Sequence, residues 1–123
     1  MNYSNLTWRH FDQPVCAGVL TGAAVHRGAA GSRTQGTWVQ FDLQVSGGII
    51  QAARFLAFGC PHTIAASAWV AEHAGGSVIR AALPEGAPQL SERFAVPPHK
   101  RGRLLIIEDA WGAAVAAALP RTG

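Results

Sequence analysis

Cysteine is scarce in this sequence, with Cys16 and Cys60 the only two in 123 residues. That excludes the disulfide framework that staples small secreted chains. Charge is scarce too: Asp, Glu, Lys and Arg make up 14% of the chain, against 49% apolar residues. A disordered chain has the opposite balance, so disorder is excluded. No uninterrupted apolar run reaches the roughly 18 residues of a membrane span. The start Met1-Asn2-Tyr3-Ser4-Asn5 has no basic stretch followed by an apolar one, so no secretion signal is expected. Missing as well are a glycine-rich phosphate loop opening a helix, a nucleophile elbow and a His-Glu-x-x-His. The chain is therefore read as a non-enzyme. Its net charge of +3 is too small for a nucleic-acid surface, where basic residues cluster with interleaved aromatics. The one dense cluster, His99-Lys100-Arg101-Gly102-Arg103, reads first as a solvated loop ahead of a helix. The expectation is a single cytoplasmic domain over residues 1–123, long enough to bury a core without staples.

What is present reads as strands followed by helices. Tyr3 to Phe11 suits a short helix capped by Ser4, stopped at Gln13-Pro14 because the residue before proline leaves helical geometry. Cys16 to Gly36 is rich in Gly and Ala without a clear period, and predicts an irregular stretch with one short edge strand around Ala23 to Arg27. Thr37 to Val45 alternates strictly, with Val39, Phe41, Leu43 and Val45 on one face and Gln40, Asp42 and Gln44 on the other. Ser46-Gly47-Gly48 is turn chemistry, and Ile49 to Phe58 runs back as the second strand of a hairpin. Pro61 suits the first position of a helix that Gly75-Gly76 ends. Ser77 is placed to cap a further helix through Leu83, broken by Pro84 to Pro88. Pro97-Pro98 reads as an extended link before a final helix from about Arg103 to Leu119, ended by Pro120. The fold class expected is α+β, a small antiparallel sheet with helices packed on one face. Val39, Phe41, Leu43, Ile64, Trp69, Leu104, Ile107 and Trp111 are its expected core.

Chemistry concentrates at Cys60. It stands between a strand end and a helix start, where unpaired helix N–H groups and the positive end of the dipole favour thiolate over thiol. A thiolate is both nucleophile and metal ligand. A free cysteine is also among the most buried residue types, often only filling space, and the residues alone leave both readings open. The histidines His10, His26, His62, His73 and His99 lack the paired spacings of a structural zinc site. Taken singly, each suits surface or core packing better than ligation. Glu108 and Asp109 are adjacent, so on a helix they diverge by about 100° and do not form a working carboxylate pair.

Several segments resemble one family. Ala53-Arg54-Phe55-Leu56-Ala57-Phe58-Gly59-Cys60-Pro61-His62-Thr63-Ile64-Ala65-Ala66-Ser67 looks like the second ligand segment of IscU/NifU-type iron–sulfur cluster scaffolds. Tyr3-Ser4, His10-Phe11-Asp12-Gln13-Pro14 and Gly18 resemble the family's start. Val96-Pro97-Pro98-His99-Lys100 resembles the element recognised by a dedicated Hsp70-type chaperone, and Glu108-Asp109-Ala110 matches the family's final helix. The likeness is collinear from about Tyr3 to Leu119.

Such scaffolds hold a nascent cluster with three cysteines, an aspartate and a histidine. By the resemblance, the first cysteine falls on Gln35 and the aspartate on Thr37, while the last histidine and cysteine fall on Gly102 and Arg103. Only Cys60 is kept. Clusters want roughly four thiolate or imidazole ligands, which Gln35, Thr37 and Gly102 cannot replace. The permanent charge of Arg103 repels a metal cation but attracts a Cys60 thiolate, which turns a metal site toward a thiolate or anion site. His62, His99 and Cys16 are the substitute donors within the sequence, and a cluster shared between two chains through Cys60 is a further arrangement. The resemblance thus implies a divergent assembly scaffold with Cys60, His62 and His99 as metal-binding candidates for an iron–sulfur cluster or zinc. It implies a cysteine desulfurase as partner and a chaperone contacting Pro97, Pro98 and Lys100, with no membrane partner. The alternative is a non-metal binding or regulatory module with an anion or partner site near Cys60 and Arg103. An enzyme using Cys60 as nucleophile, with His62 or His99 as base, is the least supported.

Overall fold

The computed structural model describes residues 4–12, 16–22, 24–79 and 86–118. The chain begins with helix α1 (Asn5–Asp12), followed by strands β1 (Val25–Ser32), β2 (Thr37–Ser46) and β3 (Ile49–Phe58). Helices α2 (Pro61–Ala74) and α3 (Ala87–Arg93), a 3-10 turn (Pro98–Lys100) and helix α4 (Gly102–Ala118) complete it. The strands form one antiparallel sheet in the order β1-β2-β3. α4 lies against β1 and β2, and α2 against β3. The expected α+β architecture is therefore the observed one.

The β2–β3 hairpin forms as its pattern predicts. Gly47 and Gly48 both take positive φ, +61° and +76°, the geometry of a two-residue turn whose twist matches the strands. Val39, Phe41 and Leu43 are fully buried on the helix side. Phe41 meets Trp111 of α4 edge-to-face at 5.5 Å, with Leu104, Ile107, Ala110 and Ala114 completing the layer. Trp69 is buried as expected, but Ile64 is only partly so and packs at the margin of the core. Ser4 caps α1 as expected, accepting the Thr7 N–H at 3.1 Å. The Gln13-Pro14 stop and the helix end at Leu119-Pro120 lie outside the described residues.

Three expectations need correction. β1 is a full strand of eight residues rather than a short edge strand around Ala23 to Arg27. Its Gly-Ala composition serves close contact with α4: a Cβ on Gly28 would overlap the backbone of Ala113 and Ala114. Ser77 to Ile79 do not open a helix. Val78 instead bridges Ile49, with the Ile79 N–H donating to the Gly48 carbonyl at 2.9 Å, and the rest of the expected helix lies outside the described residues. α3 forms where a break was expected, because Pro88 falls in its first turn, where a missing N–H costs nothing. Its cap residue Gly86 has no side chain to offer, and the Glu108 carboxylate from α4 accepts the Ala87 N–H in its place.

Asp42 also departs from its pattern. It points away from the helices, yet it is only 1% exposed. Ala17 bridges Phe55 beside β3, and the chain then crosses the outer face of the sheet to reach β1 on the other side. On the way Leu20 donates its N–H to Asp42 at 2.9 Å, and Arg27 adds two hydrogen bonds at 2.8 Å. Burial alone would raise the Asp42 carboxyl, but the Arg27 hydrogen bonds and the Leu20 N–H hold it below the usual carboxylate range. A depressed folded-state pKa gives stability that is fully present above the unfolded value, about 3.9, and lost as pH falls through the folded one. Asp42→Asn should therefore lose on the order of 2 kcal/mol at pH 7 and show a smaller further loss on acidification than wild type. Urea midpoints at pH 7 and pH 3 test this, and parallel losses in both proteins would refute it.

Candidate functional site

Cys60 is the N-cap of α2, in extended geometry with φ −75° and ψ 166°. Its carbonyl accepts the Ile64 N–H at 3.2 Å as the helix begins. Gly59 gives the chain room to turn in front of it, since a Cβ there would press on the Thr63 side chain at 3.3 Å. The sulfur is half-buried and lies 3.6 Å from the Thr63 hydroxyl. Burial pushes the thiol up. The Thr63 N–H and hydroxyl, the Arg103 guanidinium and the His62 N–H outweigh it and hold the thiol below its ordinary value. Each of these favours the anion, so the thiolate is the stabilised form.

His62 follows in the first turn and is 4% exposed. Burial, then the charges of Lys100 and Arg103, push its imidazole down, which keeps the ring neutral at pH 7. Lys100 is itself buried, on the 3-10 turn, while Pro98 and His99 of the same turn are exposed. Pro97 is extended, as expected for the link, but Pro98 already belongs to the turn. Gln35 lies exposed in the β1–β2 turn, its N–H donating to the Ser32 hydroxyl at 3.1 Å. Thr37 is buried at the start of β2, next to the Trp38–Phe58 pair that leads into Gly59. Gly31 packs against both the Thr37 carbonyl and Ile106, one turn beyond Arg103 in α4. The sheet register and these contacts thus bring Gln35, Thr37, Cys60 and Arg103 to one end of the sheet. Gly102 borders a separate cleft beside α3.

Among the described residues, no three His, Cys, Asp or Glu side chains gather to hold a metal ion. Cys16 is half-buried beside Phe55, and burial pushes its thiol up, opposite to Cys60. The sequence reading missed Thr63 and the approach of Lys100 to His62. Thr63 was within reach, since the residue three after an N-cap is the one that a capping side chain meets. Lys100 had no signal in sequence, because its place depends on packing between distant elements.

Compared with known families, residues 2–122 match the model of the NifU-like N terminal domain. The chain belongs to that family. This NifU-like chain is 31% identical over 119 residues to the iron–sulfur cluster assembly scaffold protein IscU of Haemophilus influenzae, covering 94% of both. It is 31% identical over 111 residues to the iron–sulfur cluster assembly protein IscU of Plasmodium falciparum, covering 89% of this chain and 68% of that one. The N-terminal NifU-like protein of Brucella abortus shares the fold with a TM-score of 0.73 at 17% identity, over 94% of this chain and 92% of that one. The family is one of scaffolds rather than catalysts. No helix among the described residues of this NifU-like chain is long and apolar enough to cross a membrane.

Proposed function

We propose that this chain serves iron–sulfur cluster assembly as a sulfur-receiving member of its family, with Cys60 as the one thiolate kept at the site. The observation that carries this is the half-buried Cys60 at the N-cap of α2, its sulfur 3.6 Å from the Thr63 hydroxyl, with Thr63, Arg103 and the His62 N–H holding the thiol below its ordinary value. The partner supplying sulfur is a cysteine desulfurase bearing a persulfide. The Cys60 thiolate attacks the outer sulfur of that persulfide. A new S–S bond forms on Cys60, the partner's S–S bond breaks, and its cysteine leaves as thiolate with the electron pair. Charge and atoms balance without an added oxidant. Attack requires the anion, which is the form this environment stabilises.

The donor set does not fit a whole cluster on one chain. Cys60 supplies one thiolate, His62 one neutral imidazole, and Arg103 a fixed positive charge beside them. A cluster, as cargo, therefore draws its remaining ligands from beyond this pair, from His99 or Cys16 of the same chain or from a second chain's Cys60. Pro97, Pro98 and Lys100 are proposed as the chaperone contact, with Pro98 and His99 as its exposed part. The cytoplasm suits this work, since a reducing compartment preserves the thiol.

Incubation of the full chain with a cysteine desulfurase and L-cysteine should add one sulfur atom by intact mass. The same gain is expected for Cys16→Ala, and none for Cys60→Ala. Sulfur accumulating on Cys16, or on neither cysteine, would falsify the proposal. The second reading, a non-metal anion-binding module, draws on the Lys100 and Arg103 charges felt at His62. Stoichiometric metal in protein purified without added metal would remove it.

A further inference from the structure

A cleft of about 530 Å³ lies between α3 and the head of α4, lined by Ala87, Pro88, Ser91, Glu92, Arg101, Gly102 and Leu105. Its size falls within the range of small-ligand sites, roughly 300–1,000 Å³. It is distinct from the Cys60 site: Arg101, Gly102 and Leu105 border it, while Arg103 on the same turn reaches the sulfur. We propose that this cleft binds a small zwitterion with an apolar body, of the α-amino-acid class.

Three observations converge on that chemistry. Ser91 is 5% exposed, and its hydroxyl has no hydrogen-bond partner among the described residues. Buried hydroxyls are nearly always satisfied, so this one is matched to a group the protein does not itself supply. The Leu104 N–H donates to the Arg101 carbonyl at 3.0 Å, but the N–H groups of Gly102 and Arg103, the first two of α4, lack intrahelical acceptors, and a Cβ at Gly102 would meet nothing, so that position is open to a ligand. Together with the Arg101 guanidinium they suit a carboxylate. Glu92, at the end of α3, puts a carboxylate on the opposite wall. Neither Glu92 nor Arg101 is engaged in an ion pair among the described residues. Opposite charges on facing walls select a ligand carrying both signs, an ammonium toward Glu92 and a carboxylate toward Arg101. Leu105, 53% exposed at the lip, with Ala87 and Pro88, covers an apolar body.

The test is a titration of the full ¹⁵N-labelled chain with L-leucine, compared with 4-methylpentanoate, which lacks the ammonium, and 3-methylbutylamine, which lacks the carboxylate. Saturable amide shifts at Ser91, Gly102 and Leu105 are expected with L-leucine. About tenfold weaker binding is expected for either analogue, the loss of one charge-assisted contact. Glu92→Gln, at an exposed position, should weaken L-leucine about as much while leaving 4-methylpentanoate unaffected. No saturable shift at these amides, equal binding of all three probes, or L-leucine binding indifferent to Glu92→Gln would each overturn the assignment.

Discussion

Gly28→Ala is expected to be the most damaging single methyl addition in this fold. Gly28, midway along the edge strand β1, pairs with Phe41 of the central strand, and an added Cβ would overlap the main chain of Ala113 and Ala114. Main chain cannot rotate away as the end of a side chain can, so α4 must lift from β1. That opens the contact of Phe41 with Trp111 and the burial of Ala110 and Ala114. Overpacking typically costs about 1–3 kcal/mol where side chains can adjust. With two backbone segments opposed, about 3 kcal/mol or more is expected, a large share of the total stability of a small protein. Gly112→Ala is the control: in the same helix its Cβ meets nothing, and removing a helical glycine should stabilise by about 0.5–1 kcal/mol. Urea denaturation of the two variants should move the midpoints in opposite directions. Lifting α4 also draws Arg103 from the sulfur, so the alkylation profile of Cys60 in Gly28→Ala should shift to higher pH. Two midpoints moving together would mean that α4 does not rest on Gly28 as described.

That same residue shows why part of the fold was illegible. Pattern reading works where a side chain's own polarity decides its place, as along Thr37 to Phe58, where alternation and Gly47-Gly48 gave strand, turn and strand. In β1 the selection acts on the absence of a side chain, at the point where a helix backbone comes closest, and a run of Gly and Ala has no period. Pro88 misled for a related reason, because proline ends a helix from within but is neutral in its first turn. Asp42 sits on the polar face, as its alternation says, and is buried by a crossing segment that no local pattern announces. At the site, Gly59-Cys60-Pro61 announced a strand-to-helix junction but left open whether its thiol is activated or only fills space. The lowering of the His62 imidazole was hidden, since it follows from burial first and then from the charges of Lys100 and Arg103, some forty residues along the chain.

The largest functional change is expected from placing donors at the positions proposed to have lost them. Gln35, Gly102 and Arg103 are all exposed, so Gln35→Cys, Gly102→His and Arg103→Cys together should leave the fold intact. Arg103→Cys does two things at once: it removes the fixed positive charge facing Cys60 and supplies a second thiolate. Cys60 then loses an attractive partner and gains a repulsive one, so in the absence of metal its thiol should titrate at higher pH than in wild type. Metal reverses this, because coordination deprotonates both sulfurs. Gln35→Cys gives a third thiolate. Gly102 borders the neighbouring cleft but precedes position 103 on the first turn of α4, so Gly102→His offers an imidazole that must reach across to make about four soft donors, the number a cluster requires. Anaerobic reconstitution with iron and sulfide should give the triple variant stoichiometric iron and acid-labile sulfide, with charge-transfer absorption absent from wild type treated alike. A folded triple variant that holds no cluster would show that these positions do not share one cradle. A wild-type chain that holds one equally well would show that Cys60 never lacked ligands, and the sulfur-receiving role would lose its physical basis.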